Sequence, residues 1–400
     1  MPKLLQINST VNWGSTGKIA EQIGTRAMAN GWESYIAYGR YANPSQSKII
    51  KIGSKWSLFL HLIESILLGN HGLASRIATK KLIKQIEKIK PDIIHLHNIH
   101  GYYINYKILF EYLNSTNIPV VWTLHDCWSF TGHCAHFDCY NCEAWKIQCQ
   151  NCPALNAYPK TIIDTTRDTY ILKKDLFVKN NNLYIVPVSL WLESFIRNSF
   201  LKDKKIQTIH NGIDLSAFSP QPPKGNISAN TILGVASQWS KQKGLDDFII
   251  MRKLLPEDKY NIILIGLNDK QIKNLPTGII GIRRTQNTQE LAEYYSSATV
   301  FINPTYSDNY PTTNLEAMAC GTPVITYRTG GSPESICNET GFVVEQGDVS
   351  GIITAIQEIE AKGKDFYSDK CRKHAMQYFD KDKCFAKYIQ LYNEILNNSK

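Results

Sequence analysis

The sequence predicts an α/β protein built from two Rossmann-like domains, each a parallel sheet covered by helices. Three observations predict this fold. The length of 400 residues is enough for two domains of ordinary size. Short apolar runs alternate with helical stretches in the first half, and the same alternation starts again in the second half. Two such sheets facing each other would enclose a deep cleft at the carboxyl ends of their strands, where sheets of this kind bind ligands.

The first half contains six apolar runs that we predict to be buried strands. They are residues 3–7, 34–38, 93–97, 120–124, 184–188 and 207–210. Helical periodicity lies between them at residues 17–30 and 75–90, and the second of these helices carries Lys80, Lys81, Lys84 and Lys88 at polar positions. These elements predict a first domain over residues 1–218.

The second half repeats this pattern after a linker. Predicted strands are residues 231–236, 261–265, 300–303, 323–327 and 342–344, and predicted helices are residues 244–255, 288–297, 314–320 and 350–360. Residues 219–226 contain three prolines and a glycine, a composition typical of a linker. We therefore predict a second domain over residues 219–380, followed by a C-terminal helix within residues 381–400.

Charge and hydropathy suggest where the protein works. The formal charge is +9; residues 1–218 carry 24 basic and 15 acidic side chains, whereas the remainder carries 20 of each. One-sided basic charge is typical of proteins that meet an anionic partner, and a solvated basic face is the alternative. The first eight residues resemble a strand and not a cleaved leader, and the apolar stretch 56–68 is too short to span a bilayer. We expect a cytoplasmic protein.

The segment Asn303 to Thr326 is the most informative part of the sequence. It is predicted to form a strand, a loop with Asp308, a helix with Glu316, a glycine stop and another strand. A helix N-terminus can bind a diphosphate, and a carboxylate can hold sugar hydroxyls through charge-assisted hydrogen bonds. Thr312, Thr313 and Asn314 are candidate caps of this helix. The alternative is two unconnected surface acids beside an ordinary helix.

This segment resembles the donor-binding signature of glycosyltransferase family 4, and the run A-M-A-C-G-T-P-V at residues 317–324 matches closely. The resemblance implies the GT-B architecture and a retaining transfer of a hexose-type sugar from a nucleoside diphosphate sugar to a saccharide acceptor. It also implies that Asp308 binds the hexose together with the backbone of Asn309, Tyr310 and Pro311, and that Glu316 binds the ribose. The family more commonly has Glu where this chain has Asp308.

Further stretches resemble the same family in collinear order. Gly14 and Gly17 lie in a glycine-rich loop that follows the first strand, and in the family such a loop lines the cleft. Residues 235–244 end in Lys-Gly, which implies that Lys243 supports the donor diphosphate. The turn Thr329 to Glu334 implies that Gly331 and Glu334 approach the donor from another side, although an acid there is also routine at a helix start.

Histidines follow two strands of the first domain. His95 and His97 end one strand and His125 follows the next, so their imidazoles should emerge at the carboxyl edge of the sheet. The family has a histidine within T-L-H-D near the donor sugar and acceptor, which implies this role for His125. The alternative is a turn in which Asp126 binds His125. We expect structural roles for His95 and His97.

The resemblance also implies a mechanism in which the acceptor attacks from the leaving-group face and the departing phosphate helps to deprotonate its hydroxyl. The protein then contributes orientation and electrostatic stabilisation. No D-x-D motif follows a predicted strand, so we expect no catalytic metal; Lys243 and a helix terminus would replace a divalent cation.

Six of the ten cysteines lie between Cys127 and Cys152, in an insert predicted over residues 127–153. Paired C-x2-C spacings at 139–142 and 149–152 indicate a zinc site, although only six residues separate the pairs. Some family members resemble this segment, which implies structural zinc bound by Cys134, Cys142, Cys149 and Cys152, with Cys139 supernumerary or an alternative ligand. Free thiols or an iron–sulfur cluster remain the competing interpretations.

Other functions compete with sugar transfer. Another GT-B enzyme, such as a nucleotide-sugar epimerase or a phosphorylase, is the more serious alternative. A zinc-containing nucleic-acid-binding protein would explain the basic half but not Asp308, Glu316 and Lys243. We therefore expect no nucleic acid as a partner. The resemblance, together with the basic charge of the first half, implies a lipid-linked acceptor of cell-surface polysaccharide synthesis. The apolar stretch 56–68 and the lysine-rich helix after it suit peripheral contact with the inner membrane surface, with an ordinary core helix as the alternative.

Overall fold

The computed structural model describes residues 1–222 and 230–398. The chain divides into two compact units, one of residues 1–210 together with 385–400 and one of residues 211–384. This division falls before the proline-rich segment 219–226, whose residues 223–226 lie outside the described residues. Residues 385–398, which follow the second unit in the chain, thus belong to the first unit.

The first unit is built on a seven-stranded parallel sheet with strand order β3-β2-β1-β4-β5-β6-β7. The strands are β1 Lys3–Asn8, β2 Glu33–Tyr38, β3 Lys48–Lys51, β4 Ile93–Leu96, β5 Val120–Leu124, β6 Leu183–Pro187 and β7 Lys205–Ile206. The helices in this part of the chain are α1 Gly14–Ala29, α2 Lys55–Leu68, α3 Arg76–Ile89, α4 Tyr106–Asn114, α5 Thr166–Lys179 and α6 Leu190–Ile196.

The second unit has a six-stranded parallel sheet with strand order β10-β9-β8-β11-β12-β13. Its strands are β8 Thr231–Val235, β9 Asn261–Ile265, β10 Ile279–Ile282, β11 Val300–Asn303, β12 Val324–Tyr327 and β13 Gly341–Val344. Its helices are α7 Leu245–Leu254, α8 Asp269–Lys273, α9 Thr288–Ser297, α10 Thr312–Ala319, α11 Val349–Lys362 and α12 Lys364–Tyr378. The last helix, α13 Lys381–Asn398, begins here and ends among the residues of the first unit.

Both sheets have the doubly wound order of Rossmann folds, with the first strand of each series in the middle and the order reversing beside it. Strands β4 and β5 are buried at every position, as expected for parallel strands covered on both faces. The predicted fold class, two Rossmann-like parallel sheets with helices, is confirmed.

Some predicted elements differ from the structure. Residues 207–210 are not a strand; β7 ends at Ile206, although Gln207 and Ile209 still donate backbone hydrogen bonds toward β6. The edge strands β3 and β10 were not predicted. Three of the four residues of β3 are exposed, so a short edge strand of this kind lacks the continuous apolar signal of a buried one.

Candidate functional site

The carboxyl edge of the second sheet brings Lys243 and Asp308 together. Lys243 ends a short 3-10 turn, Lys241–Lys243, and Asp308 lies in the loop between β11 and α10. The Lys243 Nζ donates to Asp308 Oδ2 at 2.6 Å, and both side chains remain partly exposed. The backbone N–H of Tyr306 donates to the carbonyl of Gln242 at 2.8 Å, which ties the two loops together. The ammonium group is therefore held by the loop that follows β11.

A glycine turn packs against the backbone of this loop. Gly330 has a φ of +56°, and a Cβ at that position would lie 1.7 Å from the carbonyl oxygen of Asp308, so only glycine fits. The backbone N–H of Gly331 donates to the carbonyl of Asn309 at 3.0 Å. Glu334 follows in the 3-10 turn Ser332–Ser335 and is partly exposed. The structure thus places Gly331 beside the predicted loop, and the steric requirement for glycine lies at Gly330.

The helix α10 starts directly after this loop. Its N-cap residue is Pro311 and no side chain caps it, so the predicted caps Thr312, Thr313 and Asn314 are wrong. Uncapped N–H groups at a helix N-terminus favour an anion. Glu316 lies in the second turn, and its Oε2 accepts a hydrogen bond from the Tyr295 hydroxyl of α9 at 3.1 Å. Asn309, Tyr310 and Pro311 are buried, so their side chains shape the loop from within.

Asn314 has a role that the sequence analysis missed. Its Oδ1 accepts from Asn303 Nδ2 at 2.9 Å, and its Nδ2 donates to Ser332 Oγ at 3.0 Å. Ser332 Oγ also lies 2.6 Å from Thr326 Oγ1. This buried network joins β11, β12, α10 and the 3-10 turn, so it fixes the loop of Asp308 relative to the turn of Glu334. The residue types give no sign of it, because it depends on contacts between separate elements.

The two predicted cleft glycines of the first unit, Gly14 and Gly17, lie in the first turn of α1. Gly14 has a φ of +64°, a left-handed conformation that favours glycine at the first helical position. A Cβ at Gly17 would lie 2.6 Å from Thr10 Oγ1 and 3.3 Å from the backbone nitrogen of Asn12. Gly17 therefore allows the loop after β1 to pack onto the helix.

His125 follows β5 and contacts His97, which follows β4. The distance from His125 Nε2 to His97 Nδ1 is 3.3 Å. Asp126 instead pairs with His100, whose Nε2 lies 2.8 Å from Asp126 Oδ2. Although burial raises the pKa of the Asp126 carboxyl, His100 lowers it to about 2. The turn in which Asp126 binds His125 is therefore not formed.

Burial lowers the pKa of His125 to about 4, even though Asp126 opposes this shift, so the imidazole is neutral at neutral pH. His125 is partly exposed, whereas His95 and His97 are buried. His95 has two partners in the core, the hydroxyls of Tyr392 at 2.6 Å and Thr123 at 2.7 Å. His95 has a structural role, as expected, whereas His97 lies between the core and His125.

A small cavity lies among the described residues of the cysteine segment. Cys134, Cys142, Cys149 and Cys152 all line it, and its volume is about 10 Å³. A hydrogen bond between the thiols of Cys134 and Cys152 lowers the pKa of Cys152 and raises that of Cys134. The Gly132 N–H donates to Cys149 Sγ at 3.2 Å. The nine cysteines whose side chains are described are free thiols, and the side chain of Cys139 lies outside the described residues.

The residue types around this cavity suit a metal ion, but the arrangement of the described residues does not form a metal site. The buried Nε2 of His133, which lines the same cavity, has no hydrogen-bond partner within the described part of the chain. Four thiols and an imidazole are a donor set that suits zinc. Across residues 1–222 and 230–398, however, no group of three or more His, Cys, Asp or Glu side chains is arranged to hold a metal ion.

The helix α2 exposes apolar side chains. Trp56, Phe59 and Leu60 are 76%, 52% and 57% exposed, and Leu67 and Leu68 are also exposed. The buried positions of this helix are instead His61 and Ser65. The four lysines of α3 at positions 80, 81, 84 and 88 are all exposed. An ordinary core helix, the alternative for residues 56–68, does not match this arrangement. No helix in the described ranges has the length and hydropathy needed to cross a membrane.

Comparisons with known proteins cover both units. A family model described as Glycosyltransferase Family 4 matches residues 17–217, and one described as Glycosyl transferases group 1 matches residues 229–361. A protein of Escherichia coli (strain K12) assigned to colanic acid biosynthesis as a glycosyl transferase, WcaC, is 25% identical over 374 residues, which cover 88% of this chain and 89% of that protein.

A second relative is the Escherichia coli UDP-Gal:alpha-D-GlcNAc-diphosphoundecaprenol alpha-1,3-galactosyltransferase. It is 26% identical over 232 residues, which cover 52% of this chain and 58% of that protein. Among solved structures, a sucrose-phosphate synthase from Thermosynechococcus elongatus aligns over 100% of both chains with a TM-score of 0.72 and 18% identity. That likeness shows a shared fold over the full chain.

Proposed function

Because the chain belongs to glycosyltransferase family 4 and has the GT-B fold, we propose that it is a retaining enzyme. It transfers a hexose-type sugar from a nucleoside diphosphate sugar to a saccharide acceptor. Among the observations that support this proposal, the pairing of Lys243 with Asp308 at the carboxyl edge of the second sheet carries it. A cation and an uncapped helix N-terminus complement the negative charge of a diphosphate, and a carboxylate can accept hydrogen bonds from sugar hydroxyls.

Each residue of the second unit has a proposed task. Lys243 and the N-terminus of α10 stabilise the diphosphate as negative charge develops on the leaving group, so that no catalytic metal is needed. Asp308 binds hydroxyls of the hexose, together with the backbone of Asn309, Tyr310 and Pro311. Glu316 binds the ribose, and its hydrogen bond from Tyr295 orients the carboxylate for that contact.

The first unit contributes His125 and the glycine loop. His125 is neutral at neutral pH, so it can accept a hydrogen bond from a substrate hydroxyl without placing a positive charge there. The acceptor hydroxyl attacks the anomeric carbon from the face of the leaving group, and the departing phosphate takes its proton. The new glycosidic bond forms as the bond to the phosphate oxygen breaks, with retention of configuration.

The proposed acceptor is a lipid-linked saccharide of cell-surface polysaccharide synthesis. The names of two relatives support this class, since one is assigned to colanic acid biosynthesis and the other names a diphosphoundecaprenol substrate. The exposed apolar face of α2 supports it independently, because Trp56, Phe59 and Leu60 can enter an interface while the lysines of α3 meet anionic headgroups. The protein would then work at the inner membrane surface by peripheral contact.

The cysteine segment is proposed to bind one structural zinc through Cys134, Cys142, Cys149 and Cys152. Three observations support this proposal. The four thiols line the same cavity, and the Gly132 N–H donates a hydrogen bond to Cys149 Sγ. The buried Nε2 of His133 has no hydrogen-bond partner among the described residues. Zinc in such a site links segments of chain and contributes to folding. It would take no part in sugar transfer.

The function is tested by mixing the purified protein with a panel of nucleoside diphosphate sugars, with and without a diphosphate-lipid-linked saccharide. Release of nucleoside diphosphate that depends on the acceptor, together with a labelled lipid-linked product of retained configuration, is the expected result. Acceptor-independent conversion of the nucleotide sugar would point to an epimerase and contradict the proposal. Transfer with inversion would overturn the proposed mechanism alone.

A further inference from the structure

A chain of hydrogen bonds connects His125 to the interior of the first unit. Gln6, on β1, is fully buried, and its Nε2 donates to the carbonyl of Ala20 in α1 at 2.8 Å. The Oε1 of the same amide lies 3.0 Å from His97 Nε2. His97 Nδ1 lies 3.3 Å from His125 Nε2. The chain therefore runs from a backbone carbonyl, through an amide and one imidazole, to the partly exposed imidazole of His125.

The anchoring carbonyl determines the direction of every bond in this chain. The Ala20 oxygen can only accept, so the Gln6 amide must present its nitrogen there and its oxygen to His97. An amide oxygen also can only accept, so His97 carries its proton on Nε2. Burial holds the pKa of His97 well below its usual value, so the ring is neutral and its Nδ1 has a lone pair. His125 must then donate through Nε2–H.

The backbone of His97 is fixed as firmly as its ring. Its N–H donates to the carbonyl of Ile7 at 2.9 Å, and its carbonyl accepts from the indole Nε1 of Trp122 at 3.0 Å. The side chain is only 1% exposed. The lone pair of Nδ1 is therefore presented to His125 from a rigid position in the sheet.

We infer that His97, backed by Gln6, is a positioning residue that holds His125 in the Nε2–H tautomer and leaves the Nδ1 of His125 as the acceptor for a substrate hydroxyl. Only the substrate hydroxyl in this inference rests on the proposed function. The tautomer follows from contacts within the first unit. Without the Gln6 acceptor, His97 could take either neutral tautomer, and His125 would lose its fixed direction.

The tautomer can be measured directly by nuclear magnetic resonance on the full chain labelled with 15N-histidine. Two-bond nitrogen–proton correlations distinguish the neutral tautomers, and a His125→Gln variant assigns the signal of His125. The expected result for the unmodified protein at neutral pH is a single Nε2–H form. Finding His125 as Nδ1–H, or as an even mixture, would overturn the inference.

Gln6→Met removes the acceptor while keeping a side chain of similar length. We expect mixed tautomers at both His97 and His125, and a fall of about tenfold in kcat/KM, the size of one lost hydrogen bond. Tyr392→Phe is the matched control, because it removes a buried hydrogen bond to His95 and should leave the spectrum of His125 unchanged. Unchanged tautomers in a folded Gln6→Met protein would also overturn the inference.

The failure of the proposed function has a different signature. If His125→Ala transferred sugar at the rate of the unmodified protein, the role given to His125 in the reaction would be wrong. The spectrum of His125 in the unmodified protein does not depend on that assay, so it tests the positioning chain separately.

Discussion

Lys243 and Asp308 form an ion pair whose value for stability is small. Both side chains are partly exposed, and pairs of this kind contribute roughly 0 to 1 kcal/mol to folding. The two loops that carry these side chains are nevertheless held tightly. Gly330 has no room for a Cβ beside the Asp308 carbonyl, and the Gln242 carbonyl accepts a hydrogen bond from the Tyr306 N–H. These contacts orient the Lys243 ammonium group, and that orientation explains them better than a contribution of the ion pair to stability does.

Lys243→Ala and Glu316→Gln should each weaken binding of the nucleoside diphosphate sugar by about 1.5 to 3 kcal/mol, because each removes the charged partner that we propose for the diphosphate or the ribose. Isothermal titration calorimetry measures the change. Lys241→Ala is a matched control, since Lys241 is an exposed lysine in the same 3-10 turn. If the affinities of both folded variants equalled that of the control, the assignment of these two residues would be wrong.

The sequence located the residues of the proposed donor site better than their arrangement. Lys243 contacts Asp308, and Gly331 contacts Asn309 beside it, because short motifs between strands determine the geometry of such loops. Their roles in donor binding stay a prediction. The orientation of His125 could not be predicted, since it depends on His97 and on Gln6, which lies 91 positions from His97. The local sequence at His125 instead suggested Asp126, which binds His100.

The helix α2 was predictable as a helix, but the face that it buries was not. Its apolar composition predicts a helix, but the same composition suits a core helix or an interfacial one. The structure buries His61, whose Nε2 accepts from the Gly72 N–H at 3.1 Å, and exposes the large apolar side chains. A polar side chain on the buried face and apolar ones outside are the reverse of the usual amphipathic pattern. Sequence periodicity alone could not choose between these arrangements.

Membrane contact through α2 should be lost in the triple variant Trp56→Ser, Phe59→Ser, Leu60→Ser, and weakened by added salt or by Gln at the four lysines of α3. Attraction to an anionic surface is about 1 kcal/mol per basic residue and decays within about 10 Å at ordinary salt. Flotation with vesicles containing anionic lipid measures the bound fraction.

The control for this experiment is Leu254→Ser, which changes an apolar side chain of α7 that is 57% exposed. It should float as the unmodified protein does. All the substituted positions on α2 are exposed, so little stability should be lost. If the unmodified protein ignored anionic vesicles at low salt, the membrane-facing role of α2 would be rejected.

The cysteine segment allows a second test at the level of one element. The double variant Cys149→Ser, Cys152→Ser should lose about one zinc per chain and unfold at lower temperature, while donor binding in the second unit persists. Metal analysis after anaerobic purification measures the zinc. Cys337→Ser, at a half-buried thiol of the second unit, is the control and should keep its zinc. A stable, metal-free unmodified protein would exclude the site.

The doubled strand series predicted two parallel sheets, because buried parallel strands are continuous apolar runs in the sequence. The destination of the last helix was not predictable. Residues 385–398 belong to the first unit. There the Tyr392 hydroxyl lies within hydrogen-bond distance of His95, 297 positions away in sequence, and the Tyr388 hydroxyl accepts from Thr123, 265 positions away. The amphipathic pattern of α13 predicts which face of the helix is buried, but it does not predict which of the two sheets the helix covers.

Tyr392→Ala should therefore destabilise the first unit, although Tyr392 follows the entire second unit in the chain. The side chain is fully buried against Trp32 and His95, so its removal should cost about 3 to 5 kcal/mol. Hydrogen exchange read strand by strand should show faster exchange in β1, β4 and β5, and unchanged exchange in β8, β11 and β12. Asn393→Ala, at the adjacent exposed position of α13, should alter neither group. Faster exchange in β8, β11 and β12 with unchanged exchange in β1, β4 and β5 would contradict the assignment of the end of α13 to the first unit.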